Sequence, residues 1–553
     1  MKKILLGCTI CASFTMNAQN FEWANGVGGT DYDISTGVVI DDNGNTIVSG
    51  YFAGTVDFDP GVGISNLTST AGSSDMFIVK FDASGDFVWA HSFGDDLDDR
   101  ANAIAVDNNG NIYVTGSFWG TIDFDPGLGT ATLSGSNQDG FILKLDANGD
   151  FVWAKAIDGS APVIGKDIAV DGAGYVYSVG RFQGTVDLDP GAGTQNSVSV
   201  GDTDGYFQKL DPNGTLEAAF SFGGTEQEEV EGIALDASSN IFITGYFKGT
   251  ANFDPIGTAE LTATSTSFGD IFVMKLLSNG GLDWVKGFGS PQHDSATDIA
   301  VDASGNTYTT GFFQGTIDFD PGAGTTELTA VGWADQFVLK LDALGNFVWA
   351  ISNGGDEETA GYTIDVASTG EVITGGYFSG TTDFDPSAGT LNLVGVNSWD
   401  AFIQKLDASG QLIDAYGFGD TSEDCVYALD IGSSGEIVAT GIYSGTVDFD
   451  LGSGTDVHTG EGGYDVFVLK LSGSVGVEQL STSRFRPFPN PTTATLNIDT
   501  DLEINKLIIH DVSGKQLIET ANEEINVDGL PQGIYLITIS TDQGLFTARF
   551  IKE

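Results

Sequence analysis

The chain has 553 residues and a formal net charge of −56, from 77 acidic and 21 basic residues, and 41% of its residues are hydrophobic. So acidic a surface disfavours nucleic acid and anionic membranes as partners, because phosphate binding needs basic patches. The hydrophobic content, with 37 Phe, argues against a disordered chain, and the length exceeds what one compact core usually holds.

The first segment, residues 1–18, is typical of a signal peptide: two lysines, then an apolar stretch, then small residues for cleavage. A lipoprotein signal ending at Cys8 is disfavoured, since few apolar residues precede that cysteine. After cleavage only Cys425 is left, so we expect no internal disulfide and a small buried side chain at this position. No later stretch is apolar over 18 residues, so no transmembrane helix is predicted.

Residues 19–471 consist of seven copies of one unit. Each copy contains a motif related to GTVDFDPG, called the DFDPG motif below, which begins at Gly54, Gly120, Gly184, Gly249, Gly315, Gly380 and Gly445. Successive motifs are 64 to 66 residues apart. So regular a period indicates one structural unit repeated seven times.

The second unit predicts four strands, at residues 104–106, 111–118, 141–145 and 151–156. Their Val, Ile, Phe, Tyr and Thr content favours sheet, and Gly, Asn and Asp clusters between them favour turns. Four-stranded antiparallel units in tandem are typical of an all-β fold, the β-propeller, whereas the coils of a parallel β-helix are much shorter. Relative to ordinary propeller blades, each unit has extra residues around the DFDPG motif, between strands two and three.

The seventh unit ends after residues 467–471 without a fourth strand. The missing copy of the strand-four motif is found at the other end of the chain, as Phe21-Glu22-Trp23-Ala24. We therefore predict that the N-terminal strand completes the last blade. This would close a seven-bladed ring and leave no exposed sheet edge.

The DFDPG insertions and the links between units should emerge on the same face of the ring. The links are also acidic, and residues 19–483 contain 67 acidic but only 13 basic residues. Seven of these 13 occupy one position on strand three: Lys80, Lys144, Lys209, Lys275, Lys340, Lys405 and Lys470. We expect them to form ion pairs with the Asp that follows strand one, such as Asp107 or Asp302.

The DFDPG aspartates are candidate calcium ligands, because two oxygen side chains two residues apart in a strand point the same way. The candidates are Asp57, Asp59, Asp123, Asp125, Asp187, Asp189, Asp254, Asp318, Asp320, Asp383, Asp385, Asp448 and Asp450. The alternative, which we favour, is a structural Asx-type turn stiffened by the following Pro and Gly. The EF-hand pattern is missing from these segments.

No motif predicts a catalytic centre. The four histidines are scattered, at positions 91, 293, 458 and 510, without metal-ligand spacing, and there is no nucleophile elbow, zinc-protease or Walker motif. Arg181 departs from its repeat position and would face the channel or, more simply, the surface. Trp119, Trp333 and Trp399 also lie off the repeat, where they would stack on sugars or serve ordinary packing.

After a polar linker at 472–483, residues 484–553 predict a small β-sandwich with near-balanced charge, six basic and ten acidic residues. This tail resembles the C-terminal sorting domain of type IX secretion cargo from Bacteroidetes-type bacteria. The matching residues are Pro489, Asn490, Pro491, Gly514, Lys515, Gly533, Tyr535 and Lys552. The resemblance implies export by the type IX secretion machinery, removal of the tail, and release or attachment to the cell surface.

The units themselves resemble the SBBP family of β-propeller repeats, through segments such as GNIYVTG at 110–116. That resemblance extends over nearly all of residues 21–471. It implies the fold and little about activity, since propellers have many functions. The DFDPG insertion is longer than the core SBBP pattern, so the family does not explain it.

These features favour a secreted or surface-displayed propeller that binds a glycan or protein through its acidic face. Calcium is the one candidate cofactor. One alternative is a secreted glycosidase or polysaccharide lyase that works at the central channel. Another is a structural component of a surface layer. A cluster of His, Arg, Tyr and carboxylate at the channel mouth, where it would break the repeat symmetry, would favour the enzyme. The near-uniform repeats favour the binding protein.

Overall fold

The computed structural model describes residues 21–254, 257–264, 268–452 and 454–472. In the tail it describes residues 485–488, 492–500, 504, 506–511, 515–520, 522, 524–541 and 544–552. The chain separates into two compact units, with the boundary between residues 474 and 475. The described residues are strands and turns without a helix. The predicted signal peptide at 1–18 and nearly all of the predicted linker lie outside them.

Strand β1 (Phe21–Val27) precedes the first repeat. The first repeat contains β2 (Asp33–Ile40), β3 (Thr46–Phe52), β4 (Thr55–Asp57), β5 (Asn66–Thr68), β6 (Asp75–Phe81) and β7 (Phe87–Phe93). The second contains β8 (Arg100–Val106), β9 (Ile112–Phe118), β10 (Thr121–Asp123), β11 (Thr132–Ser134), β12 (Asp139–Leu145) and β13 (Phe151–Ile157). The third contains β14 (Val163–Val170), β15 (Val176–Phe182), β16 (Thr185–Asp187), β17 (Asn196–Val198), β18 (Asp204–Leu210) and β19 (Leu216–Gly224).

The remaining repeats follow the same order. The fourth contains β20 (Glu228–Leu235), β21 (Ile241–Phe247), β22 (Thr250–Asn252), β23 (Glu260–Thr262), β24 (Asp270–Leu276) and β25 (Leu282–Phe288). The fifth contains β26 (Ser295–Val301), β27 (Thr307–Phe313), β28 (Thr316–Asp318), β29 (Glu327–Thr329), β30 (Asp335–Leu341) and β31 (Phe347–Gly355). The sixth contains β32 (Thr359–Val366), β33 (Val372–Phe378), β34 (Thr381–Asp383), β35 (Asn392–Val394), β36 (Asp400–Leu406) and β37 (Leu412–Phe418). The seventh contains β38 (Cys425–Ile431), β39 (Ile437–Tyr443), β40 (Thr446–Asp448), β41 (Val457–Thr459) and β42 (Asp465–Leu471).

The strands of each repeat form a four-stranded antiparallel sheet in the order one, two, three, four, as in β2-β3-β6-β7. Strand one of each sheet packs against strand one of the next, and β38 packs against β2, so the sheets close a ring with the first strands innermost. The last sheet has the order β1-β42-β39-β38. The N-terminal strand therefore supplies its fourth strand, as the sequence predicted. The fold is a β-propeller.

Neighbouring sheets are joined near one face by a shared acceptor. The Nζ of Lys144 and the indole N–H of Trp153 both donate to the carbonyl of Pro212, in a turn of the next sheet, at 3.3 and 3.1 Å. The same bonds close the ring, because Lys470 and Trp23 both donate to the carbonyl of Ala83. The repeated Trp and Lys of the sequence are therefore inter-blade ties.

Among the described residues, the predicted ion pair between the repeated lysine and the Asp after strand one is formed in the first sheet, whereas in the fourth sheet Lys275 pairs with Asp283 of strand four instead. Lys80 pairs with Asp41, which follows strand one, at 2.9 Å. The prediction is wrong for Asp107, whose carboxylate accepts from the hydroxyl of Tyr113 at 3.0 Å. Lys144 lies instead over the ring of Tyr113, 4.9 Å from its centroid. Asp302, Tyr308 and Lys340 repeat this arrangement. Where the second residue of strand two is Tyr, its hydroxyl donates to the carboxylate and the lysine cation lies over its ring.

Each DFDPG insertion folds as a two-stranded hairpin, for example β4 with β5. Its central apolar residue is Phe in six repeats and Leu188 in the third. In the first repeat this residue, Phe58, is 1% exposed and packs on Phe77 of strand three, with ring centroids 5.0 Å apart. The hairpins lie at the same face as the inter-blade links, since Asp95 of a link accepts from the backbone N–H of Thr121 at 2.8 Å. This face is called the insertion face below.

The tail unit has two sheets, and its strands are β43 (Phe485–Phe488), β44 (Thr495–Thr500), β45 (Lys506–Asp511), β46 (Gln516–Thr520), β47 (Glu524–Asn526), β48 (Gly533–Thr541) and β49 (Gly544–Lys552). One sheet has the order β43-β44-β47 and the other β46-β45-β48-β49. Leu496, Leu507 and Ile537 are among the buried residues of its core.

The sequence also made predictions about Cys425 and about transmembrane helices. Cys425 is a free thiol with no exposed surface, as expected. Across the part of the chain that the structure describes, no helix is long and apolar enough to cross a membrane.

Candidate functional site at the mouth of the central channel

Every innermost strand has a β-bulge at the same place. In β2 the pairing with β3 skips one residue between Ser35 and Gly37, and the other six sheets skip the equivalent residue. A bulge leaves the extra residue unpaired and re-aims its side chain. The seven bulged residues, called the bulge ring below, are Thr36, Asn102, Lys166, Glu231, Thr297, Tyr362 and Tyr427.

The bulge ring surrounds a cavity of about 640 Å³ in the central channel, and all seven of its side chains line that cavity. The innermost strands begin at the insertion face and the second strands end there. The cavity is lined by the first and middle parts of the innermost strands, by the ends of second strands, as at Tyr51 and Tyr246, and by His293 of a link, so it is at the channel mouth on that face. Although the repeats are nearly uniform, their seven equivalent side chains here include a cation, an anion, an amide, two threonines and two tyrosines. The repeat symmetry is therefore broken where a ligand would enter.

Each bulged side chain reaches the neighbouring sheet. Thr36 donates its hydroxyl proton to the carbonyl of Ala101 at 2.9 Å, and Asn102 donates to the carbonyl of Gly165 at 2.7 Å. Lys166 forms an ion pair with Glu231 at 2.9 Å. The bulge ring is thus held in place by bonds across the blade seams, which preorganises the mouth.

One side of the mouth is charged. Besides Lys166 and Glu231, it has Arg181, which forms an ion pair with Glu229. Arg100 lies over the ring of Tyr51, 4.8 Å from the centroid, and makes no ion pair within the described residues. Only six basic residues between 19 and 483 lie off the repeated lysine position, and Arg100, Lys166 and Arg181 are three of them. The few cations outside the repeat are therefore concentrated at the mouth.

The other side is aromatic. Tyr362 packs edge-on against Tyr427, with centroids 5.3 Å apart. Tyr377, next to Tyr362, stacks on Trp399 at 4.2 Å. His293 lies between the two sides, edge-on to Tyr246 at 5.4 Å. Burial and, to a lesser degree, the charge of Lys248 lower the pKa of His293, so this imidazole is neutral at pH 7.

Below the bulge ring, aspartates connect the innermost strands. Asp167 accepts from the backbone N–H of Ile233 in the next sheet at 2.8 Å, and Asp298 does the same for Ile364 at 2.8 Å. These N–H groups lie on an inner strand edge that no neighbouring strand covers, so the carboxylates satisfy donors that would otherwise lack a partner. Burial, with the nearby charge of Asp298, raises the pKa of Asp167 to about 8.

The DFDPG aspartates proposed as calcium ligands are held by backbone donors. Asp57 accepts from the N–H of Asp59 at 3.1 Å and of Ser65 at 2.7 Å, which closes the hairpin loop. Asp59 in turn accepts from Gly61 at 2.9 Å. Asp123, Asp187, Asp318, Asp383 and Asp448 repeat the first pattern, and Asp125, Asp189, Asp320, Asp385 and Asp450 the second. Asp254 follows Asn252, which accepts the same two kinds of donor.

This is the Asx-turn geometry that the sequence favoured. Among the described residues, no group of three or more His, Cys, Asp or Glu side chains is arranged to hold a metal ion. Calcium binding stays a prediction.

Of the four residues singled out for departing from the repeat, two lie beside the channel mouth. Arg181 is on strand two of the third sheet, paired with Glu229 of the fourth. Trp399 is stacked on Tyr377, whereas Trp333 is 65% exposed on the insertion face and Trp119 is half-buried.

The bulge ring itself was not predicted from the sequence. The sequence nevertheless contains a feature that could have indicated it: one position of strand one has a different residue type in nearly every repeat.

In the tail, the structure places several of the predicted sorting residues. Gly533 begins β48, Tyr535 follows it and donates its hydroxyl proton to the carbonyl of Pro531 at 2.8 Å, and Lys552 ends β49. Lys515 is exposed. Pro489, Asn490, Pro491 and Gly514 lie outside the described residues.

The closed ring of sheets shows a β-propeller, and one of two family matches shows that the protein is exported. The secretion system C-terminal sorting domain matches residues 487–553, and the beta-propeller repeat matches residues 88–122. Both resemblances predicted from the sequence are confirmed, the sorting domain over nearly the whole tail and the propeller repeat over residues 88–122. The sorting domain is that of type IX secretion, so the protein is secreted or displayed at the cell surface.

Two curated proteins are similar to this chain. An uncharacterized WD repeat-containing protein of Acanthamoeba polyphaga mimivirus is 25% identical over 479 residues, covering 71% of this chain and 34% of that protein. Regulatory protein FlaEY of Caulobacter vibrioides is 24% identical over 410 residues, covering 68% of this chain and 40% of that protein. This chain thus spans well under half the length of both relatives.

Solved propellers are also similar at low identity. The WD40 beta propeller domain of Doa1 has 10% identity and a TM-score of 0.40, covering 83% of this chain and 98% of that one. Sqt1 from Chaetomium thermophilum has 10% identity and a TM-score of 0.38, covering 82% and 100%.

Proposed function

We propose that this exported propeller is a binding protein whose channel mouth takes a carbohydrate. The observation behind the proposal is the bulge ring: seven equivalent positions with largely different side chains around a cavity of about 640 Å³. That volume suits one or two sugar rings.

The two sides of the mouth fit the two kinds of surface that a sugar presents. Its apolar C–H faces stack on aromatic rings, which Tyr362 and Tyr427 offer. Its hydroxyl groups need donors and acceptors, which Asn102, Thr297 and Arg100 offer. Because the protein is secreted or displayed at the cell surface, the site would be exposed to extracellular glycans.

A glycan array, followed by calorimetric titration with the best ligand, tests the proposal. Arg100→Ala and Tyr427→Ala should each weaken binding about tenfold, since each removes one side of the site. Lys286→Ala is the matched control for Arg100, because it deletes another basic residue off the repeated position but outside the cavity. Thermal melting checks that each variant folds. Equal binding by all variants would place the site elsewhere.

An enzyme that cleaves an extracellular polysaccharide is the second candidate. It is favoured by the mouth containing His293, Arg100, Glu231 and several tyrosines, the residue types that the sequence argument required. His293 is neutral and suited to accept a proton, although its contacts in the described residues are to aromatic rings and not to a carboxylate. We therefore rank binding first.

Assays for new reducing ends and for the ultraviolet absorbance of unsaturated ends, on neutral and uronate-containing polysaccharides, separate the two candidates. Product formed by the wild type and lost in His293→Ala would establish the enzyme. Binding without product would support the first proposal.

Calcium on the insertion face is proposed as a weak structural ligand. The support is the acidic charge of that face and the regular pairs of DFDPG aspartates. Melting the protein with calcium and with a chelator tests it, and identical midpoints would refute it.

A further inference from the structure

A second cleft, of about 510 Å³, opens on the insertion face between the fifth and sixth sheets. Trp333 and Trp399 line it, together with the consecutive carboxylates of Asp356, Glu357 and Glu358. None of these five residues belongs to the bulge ring. No residue lines both this cleft and the cavity at the channel mouth, although Trp399 also stacks on Tyr377 beside that mouth.

The walls of the cleft are fixed in place. The ring of Trp399 stacks on Tyr377, with centroids 4.2 Å apart and planes 23° from parallel. The backbone N–H of Trp333 donates to the carbonyl of Glu357 at 3.0 Å, so this tryptophan is attached to the acidic segment. Its side chain is nevertheless 65% exposed. A large exposed indole beside a rigid stacked one is typical of a ligand platform.

The carboxylates have no cationic partner. Within the described residues, no Lys, Arg or His forms an ion pair with Asp356, Glu357 or Glu358. Asp356 accepts from the backbone N–H of Thr381 at 2.9 Å, and Glu358 accepts from the hydroxyl of Tyr377. At the channel mouth, by contrast, Glu229 and Glu231 are both neutralised by basic residues. The cleft has a negative charge that a ligand would balance.

This combination occurs in only one of the described seams. At the position of Trp333, two residues before strand three, the other repeats have Ser73, Asn137, Asp202, Phe268, Ser398 and Gly463. At the position of Trp399, one residue before strand three, they have Ser74, Gln138, Thr203, Gly269, Ala334 and Tyr464. The two indoles are therefore no requirement of the blade fold.

We propose that this cleft binds an organic ammonium group. Indole faces attract cations through the ring quadrupole, and the adjacent carboxylates add a direct charge interaction. An anion would be repelled by the three carboxylates, and a neutral sugar would leave their charge unbalanced. The ammonium group belongs either to a lysine side chain of a protein or to a quaternary amine such as choline. Both share the chemistry that the cleft recognises.

Calorimetric titration of the full chain with choline and with a blocked lysine amide tests the proposal. The neutral control is 3,3-dimethylbutanol, which has the shape of choline without its charge. We expect one or both ammonium compounds to bind and the neutral compound to bind at least tenfold more weakly. Tighter binding of choline would assign a quaternary amine, and tighter binding of the lysine compound would assign a protein partner.

Variants locate the binding. Trp333→Ala and Glu357→Gln change exposed side chains, so both should fold and melt like the wild type, and each should weaken ammonium binding about tenfold. Glu226→Gln, an exposed acid of another inter-blade link, is the matched control and should leave binding unchanged. Equal affinity for the neutral compound, unchanged binding by Trp333→Ala, or loss of neutral-sugar binding in that variant would each overturn the proposal.

Discussion

At the scale of the residue, the first Asp of each DFDPG motif is a clamp for its own hairpin. Asp123 accepts from the N–H of Asp125 at 3.1 Å and of Ala131 at 2.7 Å, so one oxygen holds both ends of the loop. Asn252 occupies the equivalent position in the fourth repeat and accepts from the equivalent donors. The position needs an oxygen acceptor and not a negative charge.

This comparison predicts the effect of substitutions at Asp123. Asp123→Asn should leave the hairpin intact, whereas Asp123→Ala should release both N–H groups and cost about 1 kcal/mol at this exposed site. Hydrogen exchange at Ala131 measures it, with faster exchange expected in the Ala variant alone. Fast exchange in both variants would mean that the charge matters, which would favour a bound cation.

The bulge ring shows what a sequence can and cannot reveal at this scale. Polar turns and β-branched runs placed the strands of the second repeat to within a few residues. The partner of Asp107 could not be predicted, because the hydroxyl of Tyr113 and the Nζ of Lys144 compete for the carboxylate and only their three-dimensional positions decide. The bulge ring could not be predicted from the repeat pattern, because that pattern is defined by residues that recur and the bulged position varies between repeats.

At the scale of the element, pairs of buried carboxylates lie in the seams between sheets. Each pair consists of the first residue of strand three and an acidic residue at, or immediately before, the start of strand one in the next sheet. The pairs are Asp75 with Asp99, Asp204 with Glu228, Asp270 with Asp294, Asp400 with Asp424, and Asp465 with Asp33. All ten residues are at most 3% exposed, and burial raises the pKa of each.

These pairs predict how stability changes with pH. The pKa of Asp75 is raised to about 6 and that of Asp99 to about 7, so the folded state keeps protons that the unfolded chain has released. This contribution is fully present below the unfolded pKa of 3.8 and is lost as pH rises through 6 to 7. Urea unfolding should therefore give a lower free energy at about pH 8 than at about pH 5.

Asp75→Asn tests the origin of this pH dependence. The Oδ1 atom of Asp75 is buried without a hydrogen-bond partner, and a neutral amide places a donor there as the protonated carboxyl would. The variant should be more stable than the wild type by about 3 kcal/mol at about pH 8, by about half of that at about pH 5, and little changed below about pH 4. Unchanged pH dependence would show that Asp75 holds no proton in the folded protein.

The N-terminal strand makes a second prediction at this scale. It pairs with β42 from Phe21 to Val27, and without it β42 would present an open edge to other molecules. A chain that starts at Gly28 should aggregate on size-exclusion chromatography, whereas one that starts at Phe21 should elute as the wild type. Trp23→Ala, which loses the bond to Ala83 and the packing on Phe81 but keeps the strand, should stay soluble. A soluble shortened chain would show that the ring tolerates an open seam.

At the scale of the whole molecule, the binding surfaces and the export signal belong to different compact units. The proposed sites lie within the first unit, and the matched sorting domain lies within the second. The sequence already indicated this division, since the repeats stop after residue 471 and the charge approaches balance beyond 484. Because each unit has its own hydrophobic core, each should fold and unfold independently of the other.

Removing residues from Arg484 onward should therefore separate folding from export. The truncated protein should keep the unfolding midpoint of the ring, because no strand of the seven sheets is lost. It should accumulate in the periplasm of a type IX secreting host, whereas the full chain should reach the medium or the cell surface. Fractionation and immunoblotting measure this, with Glu524→Gln, an exposed change in the tail outside the predicted sorting residues, as a folded control. Truncated protein in the medium would refute the sorting role, because a ring without the tail would then contain all that export requires.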